Sequence, residues 1–182
     1  FVSATENLLF YFEKIENETD SEVLKNWMQY QKEDTKNLSD IINVLLELSK
    51  VESGNELHRE ILRVDDLIFD VIEELKMLYD DFNFEIILED SIMDESNLMI
   101  KANEKLLRLA IVNLAVNCVQ YSNQKSAKIL ISYQNGLSVS FINSGEVIQA
   151  IEIQYLFQHF FRGKNSLGKR GFGLGLVFIN RI

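Results

Sequence analysis

Apolar residues recur at near-helical spacing through residues 1–51, and the rhythm then changes. Val2, Leu9, Phe12 and Ile15 form the first run. The polar stretch Glu16-Asn17-Glu18-Thr19-Asp20-Ser21 interrupts it and offers several helix-capping residues. A second helix is predicted from about Ser21 to Val51. Its Leu24, Met28, Leu38, Ile42, Leu45 and Leu48 fall close to a heptad seam, broken by Gln31 and Thr35. Two antiparallel helices bury little by themselves. Such a hairpin either pairs with a second copy into a four-helix bundle or lies against its own globular domain. Ser53-Gly54-Asn55 ends the second helix and marks a domain boundary. The expected division is a hairpin over 1–54 and a second domain over 55–182.

Beyond the boundary the pattern mixes periods. Glu60–Val64 reads as a short strand. Asp65-Asp66 is expected to cap a helix whose Leu67, Ile68, Val71, Ile72, Leu75 and Leu78 share a face. Phe84–Leu88 and Leu98–Ile100 read as strands, and Glu104–Tyr121 as a strong helix. Lys128–Tyr133 and Leu137–Ile142 alternate in the manner of strands around Gln134-Asn135-Gly136, a hairpin signal. Val147–Phe160 is predicted helical, Arg162–Arg170 a polar loop, and Leu174–Ile182 a helix again. The expected fold class is α+β: a helical hairpin, then a sandwich with helices on one face of a mostly antiparallel sheet.

Composition narrows the function classes. Of 182 residues, 47% are hydrophobic, enough for a real core. Eighteen Lys plus Arg against 28 Asp plus Glu leave a net charge of −10, and no basic face invites a nucleic acid. A single cysteine, Cys118, excludes an internal disulfide framework and fits a reducing compartment. No apolar run is long enough to span a bilayer, so any membrane segment is expected outside these residues. Proline is absent. Three of the eight glycines, Gly171, Gly173 and Gly175, crowd into five positions, which points to a local backbone requirement.

Three stretches carry candidate chemistry. In the helix around residues 103–122, Leu107, Ala110, Ile111, Leu114 and Cys118 form a core-facing stripe. Asn113 and Asn117 are four apart and project from one side, with Gln120 extending that polar edge. Asparagine is a poor mid-helix residue. Its carbonyl is a hard-oxygen ligand suited to Mg²⁺, although both side chains would equally serve as loop caps or face water. Phe141-Ile142-Asn143-Ser144-Gly145 ends a strand. There a polar side chain and a nearby glycine let a flat ligand approach, or simply make a turn. Gly171-Phe172-Gly173-Leu174-Gly175-Leu176 leads into a helix. Such a lead-in presents backbone N–H groups to phosphates or acts as a hinge. It is neither a P-loop nor a dinucleotide fingerprint. Arg162, Lys164, Lys169 and Arg170 make the preceding loop the most basic part of an acidic chain.

In this order and spacing the stretches resemble the nucleotide-binding domain of sensor histidine kinases, part of a superfamily with gyrase-type ATPases and Hsp90-type chaperones. N-L-A-V-N-C-V-Q-Y-S resembles the family's N-box, N-S-G its first glycine box, L-F-Q-H-F-F-R-G its phenylalanine box and G-F-G-L-G-L its second glycine box. D-I-I-N-V-L-L-E-L-S-K-V-E-S-G is similar to the end of its second dimerisation helix. The resemblance implies ATP and Mg²⁺ as ligands, with Asn117 on the metal and Asn143 facing the adenine amino group. It implies a nucleotide site formed by Asn113, Asn117, Gln120, Tyr121, Asn143, Gly145, Arg162, Gly171, Gly173, Leu174 and Gly175. Asn143 stands where the family usually has Asp, Gln120 where it has Lys, and Cys118 where it has Ala.

The implied activity is transfer of the ATP γ-phosphate to a histidine and onward to an aspartate of a response-regulator partner, within a homodimer in the cytoplasm. The family's acceptor motif, S-H-E-L-R-T-P, has no counterpart here. His58 and His159 are the two histidines, and neither has that context. The preferred alignment starts the chain just after that motif and ends it inside the helix following the second glycine box. Two rival readings are a degenerate, non-catalytic dimerisation module and an ATP-hydrolysing chaperone or topoisomerase relative. The latter needs a carboxylate where Asn113 stands, and an amide is no general base.

Overall fold

A computed structural model describes residues 58–159, 161–166, 169 and 173–180, together with isolated positions between 13 and 49. The chain divides into two compact units, Phe1–Gly54 and Asn55–Ile182. In the first unit every described position, from Glu13 to Ser49, is helical. Of the predicted seam, Leu24 is half-buried, and Met28 and Ile42 are exposed. Leu38, Leu45 and Leu48 lie outside the described residues.

The second unit is α+β. Its elements run β1 (Glu60–Arg63), α1 (Val64–Leu78), β2 (Asn83–Leu88), a 3-10 turn (Glu95–Leu98), β3 (Met99–Ala102), α2 (Glu104–Tyr121), β4 (Ser126–Tyr133), β5 (Leu137–Asn143), α3 (Ala150–Ile153), a second 3-10 turn (Lys164–Ser166) and α4 (Gly175–Ile179). Among the described residues the strands form two sheets: an antiparallel β1–β3 pair and a three-stranded β2–β4–β5 sheet. Two of these three strand pairs are antiparallel, as expected; β2 and β4 are the exception and pair in parallel from Asn83↔Ser126 to Leu88↔Ile131. The physical reason is the connection. The chain leaves β2 and returns to β4 only after β3 and the whole of α2, a crossover long enough to restore the strand direction. β4 and β5 pair antiparallel across Gln134–Gly136, as the Asn-Gly signal predicts, and Gly136 takes a φ of +147°.

Helix boundaries also differ in places. Asp65 and Asp66 do not cap α1; they occupy its first turn, and Arg63 precedes it in extended conformation. Arg63 Nε donates to both Asp65 oxygens, at 3.0 and 3.2 Å, which is how the buried Asp65 carboxylate is satisfied. The predicted helix over Val147–Phe160 shrinks to Ala150–Ile153 followed by turns. Its Val147, Ile151, Ile153 and Phe157 are all exposed, so no apolar stripe is buried to sustain a longer helix.

The core lies between α1, α2 and the sheets. Ile68, Val71, Ala115, Ile129 and Ile131 have no exposed surface. Each of the larger ones contributes about 1.5–3 kcal/mol relative to exposure. α2 buries Leu106, Ala110, Ile111, Ala115 and Cys118. The predicted stripe is thus adjusted: Leu107 and Leu114 are only half-buried, because α2 is covered by the core on one side and by α4 on another. Asn103 caps α2, accepting from Leu106 N at 3.1 Å, while its Nδ2 donates to His58 O at 2.9 Å. Among the described residues no helix is long and apolar enough to cross a membrane.

Candidate functional site

α2 organises the site because successive turns of one side carry different polar groups. Asn113 Nδ2 donates to the Leu109 carbonyl one turn back, at 2.8 Å. That bond relieves the cost of an asparagine inside a helix and uses its donor. Its oxygen faces α4: a β-carbon placed on Gly175 would stand 2.7 Å from Asn113 Oδ1. One turn further on, Asn117 is half-buried, and its amide makes no hydrogen bond to another described residue. Asn113 therefore serves helix contact, while Asn117 keeps its carbonyl oxygen available.

Tyr121 ends α2 and meets the end of β5. A β-carbon on Gly145 would stand 2.3 Å from the Tyr121 carbonyl oxygen and 3.2 Å from Asn143 Nδ2. The Asn123 N–H donates to Ser144 O at 2.6 Å and ties the two segments together. Glycine at 145 is thus a requirement of close approach. The fold brings Asn143, Gly145 and Tyr121 to one place, although they are more than a strand apart in sequence.

The glycine-rich lead-in abuts the other end of this face. Gly173 adopts a φ of +67°, a left-handed conformation that side chains resist. Leu174, Val177 and Phe178 are buried and fix α4 against the domain. Gly171 lies outside the described residues. Between Asn113 and Tyr121, α2 rises about 12 Å, so the two glycine contacts sit at separate points along one helix.

The basic loop is held by its own hydrogen bonds. Arg162 Nη2 donates to Ser166 O at 2.9 Å and to Lys169 O. Glu152 accepts from the Lys164 N–H at 3.0 Å and from the Gln149 N–H at 3.3 Å. Lys169 Nζ sits 4.5 Å from the centroid of the Tyr121 ring, a cation–π contact. The sequence reading missed both Glu152 and the Lys169–Tyr121 pairing. No periodicity links positions so far apart, and only the fold joins them.

Oxygen and amide donors dominate this region. Among the described residues no cluster of His, Cys, Asp and Glu could hold a metal. Cys118 is buried in the core, and burial pushes its thiol up to about 11, so it offers no thiolate. The Asn117 carbonyl, the Asn143 side chain beside Gly145 and the left-handed turn at Gly173 fit a magnesium–nucleotide complex, whose metal takes few protein ligands and shares phosphate oxygens. An open depression of about 360 Å³ borders Asn143 and Ser144 and is lined in part by Glu85, Lys128 and Ile142. The exposed Glu85 and Lys128 alternate with the buried Phe84 and Ile129, and the exposed Ile142 with the half-buried Phe141, which places these three on the outer face of the sheet.

Comparison with known proteins agrees with this geometry. Residues 102–182 match the family described as histidine kinase-, DNA gyrase B- and HSP90-like ATPase. The chain is 24% identical to the sensor-like histidine kinase SenX3 of Mycobacterium tuberculosis over 168 residues, 90% of this chain and 40% of SenX3. It is 29% identical to the sensor histidine kinase HprS of Escherichia coli over 164 residues, 85% of this chain and 34% of HprS. The histidine kinase AdeS of Acinetobacter baumannii shares the fold, with a TM-score of 0.71 at 17% identity, over 98% of this chain and 82% of that one. The match spans α2, β4, β5 and the glycine-rich lead-in to α4, the elements that form the candidate site. The curated relatives that the chain resembles here, SenX3 and HprS, are sensor histidine kinases. The chain spans about two fifths of the length of SenX3.

Proposed function

We propose that this chain binds MgATP along α2 and serves the transfer of its γ-phosphate to a histidine, from which a response-regulator aspartate receives it. One observation carries the reading: the polar side of α2 touches both glycine elements, at Tyr121–Gly145 and at Asn113–Gly175. Asn143 accepts a hydrogen bond from the adenine amino group through its carbonyl oxygen, and the close approach of Gly145 to the Tyr121 carbonyl holds that strand end against α2. Gln120 and Tyr121 line the same side of α2. Backbone N–H groups of Gly173, Leu174 and Gly175 face the phosphates. The lysines of the loop after Arg162, Lys164 and Lys169, balance phosphate charge, and Asn117 Oδ1 holds the metal. Bound magnesium would neutralise charge developing on the phosphates, and phosphoryl transfer depends mainly on such positioning and neutralisation.

The acceptor is a histidine of the dimerisation helices in the whole protein, since neither His58 nor His159 carries the family motif. The hairpin over 1–54 is read as the dimerisation element. Its exposed Met28, Ile42 and Leu46 support a homodimer, since they repeat at heptad-compatible spacing. A cytoplasmic location follows from the same reading.

Calorimetric titration tests it. MgATP is expected to bind the wild-type chain, and Asn117→Ala to lose the magnesium-dependent part of that affinity. Equal affinity in the two proteins, with and without magnesium, refutes the assignment of Asn117.

A further inference from the structure

Arg162 is expected, from the resemblance, to reach a phosphate. Its surroundings give it different work. One guanidinium nitrogen is spent on two carbonyls of its own loop, those of Ser166 and Lys169. The loop closes around this pair. Ser166 is 6% exposed, its N–H donates to Gly163 O at 3.0 Å, and its Oγ donates to the same carbonyl at 2.6 Å. The Lys169 N–H then donates to Ser166 O at 3.0 Å. A rigid planar fork suits such bridging, and a lysine ammonium does not reproduce its geometry.

The consequence falls on Lys169. Its ammonium lies over the Tyr121 ring, on the last turn of α2 and one turn beyond Asn117. We propose that Arg162 is a positioning residue, which shapes the loop so that Lys169 is the cation delivered to the mouth of the site. Lys169 then meets the nucleotide, and Arg162 acts through it. The effect on nucleotide affinity rests on the function proposed above; the positioning itself does not.

Two measurements separate these layers. In the ligand-free protein, NMR of the Lys169 methylene next to the ammonium is expected to show upfield ring-current shifts. Those shifts vanish in Tyr121→Leu. They vanish also in Arg162→Lys and Arg162→Gln, with core methyl signals of Ile129 and Ile131 unchanged to show that the domain is folded. Persistence of the shifts in both Arg162 variants overturns the proposal. In titrations with MgATP and with adenosine, Lys169→Gln is expected to reduce the preference for MgATP by roughly twofold to fivefold, the range of an exposed ion pair. Arg162→Lys is expected to match that loss, and the double variant to lose no more. Additive losses would give Arg162 a phosphate contact of its own and overturn the proposal. A wild-type chain that binds no MgATP would sink the proposed function while leaving the NMR result on Arg162 to stand or fall by itself.

Discussion

Asn113 Oδ1 lies 2.7 Å from the point where a β-carbon on Gly175 would stand, with its amide nitrogen anchored to Leu109 O at 2.8 Å. The side chain is held on one edge and pressed on the other, so the start of α4 approaches α2 only because residue 175 has no side chain. Gly175→Ala is therefore expected to swing Asn113 off its Leu109 bond. Alanine's better helix propensity, about 1 kcal/mol, offsets part of that cost. The net stability change is small, and nucleotide affinity falls. Adding Asn113→Ser restores room; a thermal melt and a MgATP titration on single and double variants check both effects.

Gly145→Ala is the harsher change. The added atom would meet a backbone oxygen, Tyr121 O at 2.3 Å, and a backbone cannot rotate away. An overpacking cost of about 1–3 kcal/mol is expected. Chemical denaturation should show Gly145→Ala less stable than Gly175→Ala; the reverse order would contradict the geometry.

Asn103 joins the start of α2 to the segment before β1 by two bonds, one accepted from Leu106 N and one donated to His58 O. Asn103→Ala is expected to cost about 1 kcal/mol for the cap, with the His58 bond lost as well. Asn103→Asp keeps the cap and loses only the donor, so its melting temperature should fall between those of wild type and Asn103→Ala.

Burial holds the Cys118 thiol at about 11, well above neutral pH. Thiol reagents act on the thiolate, so the native chain is expected to resist alkylation at pH 8 and to react once unfolded. Mass spectrometry after timed exposure, with and without denaturant, measures the ratio.

Two exposed aspartates contribute a small, identifiable share of the acid sensitivity of the domain. A hydrogen bond from Lys125 holds Asp81 below the usual carboxylate range, and the Ser96 N–H does the same for Asp94. A depressed folded-state pKa means that the unfolded chain takes up protons first. Both groups then contribute stability above the ordinary aspartate pKa, about 3.9, and lose it as pH falls through their folded-state values. Melting temperature should be flat near neutral pH and drop below about pH 4, with a shallower drop in Asp81→Asn.

Sequence by itself settled the elements whose signal is local. The span of α2, Glu104–Tyr121, follows from its periodicity and its Asn103 cap. The β4–β5 hairpin follows from Asn135-Gly136, and the four boxes point to the nucleotide-binding family. Tertiary structure decided whatever depends on distant partners. The parallel β2–β4 pairing depends on a crossover, and the short α3 on the absence of a surface to bury its apolar residues. The separate tasks of Asn113 and Asn117, identical side chains one turn apart, depend on what stands opposite each. Asn113 meets Gly175 and its own helix, whereas Asn117 meets no described hydrogen-bonding partner. A residue type fixes which bonds a side chain can make, but only the fold brings up the atom that makes one of them.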